Sequence, residues 1–140
     1  MKKRKLLLLV HVEETFRRYF SDSMYPLRLR RACMLYDEVI HATSHVDDDR
    51  PIFEIGDLVT NEIDWGYGYD HEMFQEDERK WVIFSRGHEF TWCPPELRER
   101  DFSDVDVYLG GGHHAECLEG MVCVLEHLGV AFKKVHGYIY

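Results

Sequence analysis

The sequence predicts an α/β fold: a mainly parallel sheet between two layers of helices, a three-layer α/β/α sandwich of Rossmann-like type. Three observations carry this. Leu6 to Val12 is a continuous apolar run, as in a strand covered on both faces. Strand-like and helix-like segments then alternate along the chain, the order that builds parallel sheets. Finally, a strand ending on Gly110–Gly112 runs straight into an amphipathic helix that stops at Gly129.

The elements follow in order. After the first strand, "EETFRRYFSDS" is a loop. "MYPLRLRRACMLYD" has helical spacing, with Leu27, Ala32, Leu35 and Tyr36 as its apolar positions. Ser23 is a candidate N-cap, and Pro26 is tolerated in the first turn. "EVIHATSHV" is a short strand ending in the acidic turn Asp47–Asp49. Residues 50–80 show no sustained period, and "WGYGYD" reads as a glycine–aromatic loop. "KWVIFSRG" is a third strand, "PPELRER" a short helix opened by prolines, and "DVDVYLGGG" a fourth strand.

From Ala115 to Leu128 the spacing predicts a helix. Cys117, Met121, Val124, Leu125 and Leu128 fall on one face, and Gly129 occupies the position after the helix where a left-handed residue is favoured. "VAFKKVHGYIY" is the last strand. There is no internal repeat.

A chain of 140 residues, 45% hydrophobic, is large enough for one domain with its own core, residues 1–140. A net charge of −9 argues against a nucleic-acid partner, which would need a basic stripe. The apolar run behind "MKKRK" is too short for a signal peptide or a membrane span. Cys33, Cys93, Cys117 and Cys123 show neither a CxxC pair nor zinc-like spacing, so they read as reduced thiols of a cytoplasmic protein.

In parallel sheets the working residues collect at the carboxyl ends of the strands. That rule selects His11, the His41–His45 segment, Arg86 and the loop from Gly110 to Cys117. A thiol in the first turn of a helix is easier to ionise, and the N–H groups there can stabilise an oxyanion. Against this stands the plain alternative that Cys117 belongs to the buried helix face. The three glycines would let the backbone approach a small substrate or an anion.

This segment resembles the isochorismatase-like cysteine hydrolases, which include nicotinamidases and N-carbamoylsarcosine amidases. In that family a strand ends in glycine, the nucleophilic cysteine follows six residues later, and a glycine closes the helix twelve residues beyond. Gly111, Cys117 and Gly129 stand at those separations. "LLLLVHVEETF" is similar to the family's first strand, with His11 where the family has an acid. "VIFSRG" is similar to its third, with Arg86 in place of lysine. These enzymes usually continue beyond the final strand, so the resemblance implies a domain shortened at its C-terminus.

The resemblance implies an aspartate–lysine–cysteine triad, of which only the cysteine is present. Cys117 is then the nucleophile and His11 the base, since imidazole titrates near neutrality. Arg86 can hold anionic charge but cannot shuttle protons. Strand alternation turns Glu13 toward His11, to orient it or to face the ligand, and turns Glu14 away. Gly112, His113, His114 and Glu116 form the candidate oxyanion and substrate loop. Trp65 and Tyr67 are candidates for lining a pocket.

Nicotinamidases hold a metal through an aspartate and histidines after the second strand. His41, His45 and Asp47 lie in that neighbourhood without the family's spacing, so no metal is expected. No redox or nucleotide cofactor is implied. The function expected is hydrolysis of an amide or related C–N bond in a small molecule, by a homo-oligomer without membrane or nucleic-acid partners. The alternative is a catalytically degenerate relative that binds a ligand or protein through the same cleft.

Overall fold

The structure is a computed structural model. It describes residues 3–43, 50–65, 82–86, 89–112 and 117–140, with only the backbone described over 82–86 and 89–92. Tyr67, His45, Asp47, His113, His114 and Glu116, all named above, lie outside the described residues.

Five strands form one parallel sheet: β1 (Arg4–Val10), β2 (Glu38–Thr43), β3 (Asn61–Asp64), β6 (Val105–Gly111) and β7 (Phe132–Ile139). Their order across the sheet is β3-β2-β1-β6-β7, and every pairing is parallel. β4 (Val82–Arg86) and β5 (Glu89–Cys93) pair with each other in an antiparallel hairpin. Among the described residues the helices are α1 (Tyr25–Cys33), α2 (Pro95–Arg98) and α3 (Cys117–His127), with a 3-10 helix over Glu14–Tyr19.

β1 lies at the centre because its apolar run is unbroken. Leu6 to Val10 are all fully buried, and their side chains divide between two cores by strand alternation. Leu6, Leu8 and Val10 pack with Leu118, Met121 and Leu125 of α3. Leu7 and Leu9 pack with Tyr25, Leu29 and Cys33 of α1. Helices therefore cover both faces of the sheet, and each fully buried leucine contributes about 1.5–3 kcal/mol of apolar transfer.

Three expectations are corrected. The third strand of the sheet is Asn61–Asp64, from the segment without a readable period, whereas "VIFSR" joins the separate hairpin. An apolar run marks a strand but does not name its partner. The buried face of α1 is Tyr25, Leu29, Ala32 and Cys33, leaving Leu27 and Leu35 exposed. Its N-cap position is Met24 rather than Ser23, and the Met24 N–H is taken by the Asp22 carboxylate at 2.8 Å.

Among the described residues no helix is long and apolar enough to cross a membrane. All four cysteines are free thiols.

Candidate functional site

The carboxyl ends of β1, β2 and β6 meet where the candidate residues collect. β1 stops at Val10, and His11 turns the chain with φ of 51°, the left-handed region that residues with a Cβ seldom occupy. Three bonds hold that conformation. The His11 N–H donates to Ala42 O at 3.0 Å, the Tyr140 hydroxyl donates to His11 O, and the ring is tied to Glu13. Strained backbone of this kind persists where its surroundings over-determine it, and it concentrates at functional sites. Beyond the turn, the chain is pinned by Ile52 N–H to Val12 O at 2.9 Å and Glu14 N–H to Arg50 O at 3.1 Å.

Glu13 and His11 form a buried pair, 1% and 4% exposed. The contact is 3.0 Å from His11 Nδ1 to Glu13 Oε1. Burial opposes charge on Glu13, but hydrogen bonds and charge from His11 and His41 prevail and hold its pKa down at about 2. An ionised carboxylate only accepts, so His11 Nδ1 is the donor and Nε2 is the ring's other functional atom. Burial likewise opposes charge on His11. Hydrogen bonding with the Cys117 side chain, then hydrogen bonding and charge from Glu13, outweigh it and raise the pKa to about 9.

Cys117 is the first residue of α3 and is half-buried against the core beneath that helix. The other thiols are buried. Burial pushes Cys33 up to about 12 and Cys93 up to about 11. Cys123 faces His127 Nδ1 at 3.5 Å.

Behind Glu13 stands His41, wholly buried. The Val12 N–H donates to its Nε2 at 3.2 Å. The same Nε2 lies 3.5 Å from Glu13 Oε1, and Nδ1 lies 3.1 Å from Glu62 Oε2. Burial lowers the pKa of His41, while hydrogen bonds and charge from Glu13 and Glu62 more than reverse that and move it upward. The Val12 amide pulls the other way, because a protonated Nε2 cannot receive it. The Val12 contact fits a ring whose Nε2 carries no proton, with the proton on Nδ1.

Glu13 Oε2 is buried with no hydrogen-bond partner among the described residues. Phe16 and Trp65 flank the His11 ring at centroid distances of 5.3 and 5.9 Å.

Two glycines before α3 have structural causes. Gly111 has φ of +93°, and a Cβ there would lie 2.1 Å from Val10 O. A Cβ on Gly112 would lie 2.7 Å from the Tyr140 ring. The close approach they permit is to β1 and Tyr140.

The structure thus brings Cys117, His11, Glu13 and Trp65 together and corrects the expected role of several residues. The Gly112 N–H is already donated to Val10 O at 2.8 Å, so it is not an oxyanion donor here. Trp65 is fully buried and belongs to the core next to His11, so it is no open pocket wall. Arg86 lies in the hairpin, so the sheet-edge rule that selected it does not apply. Both ring nitrogens of His41 are engaged by protein groups, which does not fit a metal ligand. Among the described residues no group of three or more His, Cys, Asp or Glu side chains is placed to hold a metal ion.

Sequence reasoning missed His41 as a partner of Glu13, and it missed Glu62 and Tyr140 altogether. The one available signal was the polar His41 inside the apolar "EVIHAT" strand.

Compared with family models, curated proteins and solved structures, the chain gives no match.

Proposed function

We propose that the chain is an isochorismatase-like cysteine hydrolase of three-layer α/β/α type, acting on an amide or related C–N bond of a small molecule. The observation that carries the reading is the interaction of Cys117, at the start of α3, with a His11 ring whose far nitrogen is held by Glu13. Cysteine catalysis requires a nucleophile, a proton carrier and an orienting acid in that order, and Cys117, His11 and Glu13 are side chains of those types. The Gly111–Cys117–Gly129 spacing and the two-sided parallel sheet add support.

In this reading the reacting form is a His11 imidazolium beside the Cys117 sulfur as thiolate, the form of sulfur that attacks. The sulfur attacks the carbonyl carbon, forming a C–S bond. As the C–N bond breaks, His11 Nε2 gives its proton to the departing nitrogen. The now neutral His11 takes a proton from water, whose oxygen displaces the sulfur and returns the thiolate. Glu13 keeps the Nδ1 proton in place throughout and stabilises the imidazolium. His11 therefore begins as the acid, which refines its expected role as base.

The competing reading, a degenerate relative that only binds, draws on the replacement of the family's acid by His11. One experiment separates them. The rate of iodoacetamide modification at pH 7 is read by mass spectrometry, with Cys33, Cys93 and Cys123 as internal controls. The hydrolase reading requires Cys117 to react fastest, and Cys117→Ala to abolish turnover of amide substrates without unfolding the chain. An inert Cys117 in the folded protein would leave the binding reading.

A further inference from the structure

His41 and Glu62 lie outside the proposed reaction, yet they contact its orienting acid. They are direct register partners on adjacent parallel strands, and His41 in turn is the partner of Leu9 on β1. This register places the His41 ring behind Glu13 and Glu62 beyond it. Glu62 is the one member of this set that reaches outside. Its side chain is 27% exposed, and it lines a cavity of about 970 Å³ together with Arg30, Arg50 and Glu54.

Neutral imidazole carries one proton, on either nitrogen. With the proton on Nδ1, His41 donates to Glu62 and offers its Nε2 lone pair to the Val12 N–H. Glu13 Oε1 then accepts from His11 alone. With the proton on Nε2, that hydrogen would point toward Glu13 Oε1, 3.5 Å away. The Val12 amide would lose its acceptor, and His41 would compete with His11 for the same oxygen.

From this geometry we infer that Glu62 is a positioning residue that locks His41 with its proton on Nδ1, and so reserves Glu13 for His11. The purpose assigned to this lock rests on the cysteine-hydrolase reading; the lock itself does not. A ring nitrogen's state is commonly set by the hydrogen bond that the other nitrogen makes. Of the other described groups near Glu13 or His11, Tyr140 follows β7 and Cys117 opens α3. The Tyr140 hydroxyl is committed to His11 O.

The test compares the wild type with Glu62→Ala and Glu62→Gln, two substitutions at a partly exposed position that leave the buried residues unchanged. Nitrogen-15 NMR reads the His41 tautomer, and iodoacetamide at pH 7 reads Cys117. In the wild type His41 carries its proton on Nδ1. Glu62→Ala removes the acceptor, moves the proton to Nε2 and slows Cys117 modification by about tenfold, the worth of one hydrogen bond to a charged group. Glu62→Gln retains an acceptor oxygen and keeps the wild-type tautomer and rate.

Two results would overturn the inference. One is a wild-type His41 protonated on Nε2 at neutral pH. The other is a matching change in both variants, which would mean that only the charge of Glu62 acts, through space. An inert wild-type Cys117 would instead remove the hydrolase reading and leave the lock to be judged on the tautomer measurement alone.

Discussion

Glu13 Oε1 accepts a hydrogen bond from His11 Nδ1 at 3.0 Å, between two side chains that are almost wholly buried. The pair is coupled in sign as well as in space, since each partner favours the charged form of the other.

That coupling predicts a stability profile. His11 is raised from 6.5 to about 9, so its contribution is complete below 6.5 and is lost as pH rises through 9. Glu13 is lowered from 4.5 to about 2, so its contribution is complete above 4.5 and is lost as pH falls through 2. Urea unfolding between pH 6 and 8.5 should show falling stability in the wild type, and His11→Gln should flatten that fall. The interval stops short of the ordinary thiol value of 9, where buried Cys33 and Cys93 begin to contribute. An unchanged slope in the variant would mean that His11 is neutral in the folded protein.

His11→Gln should also slow alkylation of Cys117 at pH 7 by at least about tenfold, because a neutral amide replaces an imidazolium, whose charge favours the reactive form of a neighbouring thiol. Cys33, Cys93 and Cys123 should keep their rates. A uniform change in all four would point to loosening of the whole fold.

Gly111→Ala should be severely destabilising. The residue would be held at φ of +93° with its Cβ 2.1 Å from Val10 O. The conformation alone costs on the order of 1–2 kcal/mol, and the backbone overlap adds to it. Thermal unfolding followed by circular dichroism checks this. Gly129→Ala, at φ of +70° with open space around it, should lose only the conformational part.

Tyr140→Phe keeps the ring against Gly112 and removes the hydroxyl that donates to His11 O. The loss should be about 1–3 kcal/mol, since a buried carbonyl is left without that donor. Urea midpoints measure the loss. A change below a few tenths of a kcal/mol would mean that the left-handed turn at His11 does not depend on this bond.

How much of this was legible in the sequence depended on where the information lay. β1, β6 and α3 announce themselves through local apolar periodicity. β3 does not: "NEID" is a four-residue edge strand with one buried side chain, Ile63, and it carries no pattern. Glu13 was assigned to the His11 side by strand alternation, yet the strand ends at Val10. The left-handed turn at His11 is what precedes Glu13. His41 meets Val12 and Glu62 only through the register of parallel strands, at separations of 29 and 21 residues. Register of that kind is set by the packed sheet, and no local window contains it.

The Tyr140–His11 bond spans 129 positions of sequence, and this has a consequence for the order of assembly. Helical turns and neighbouring strands form early because little chain entropy is lost in closing them, whereas contacts across the whole chain come last. The turn that presents the His11 ring to Cys117 therefore acquires its final tie only when the far edge of the sheet has docked. Until then the thiol and its imidazole are parts of a half-built molecule, so the reactivity proposed for Cys117 would serve as a late reporter of correct folding.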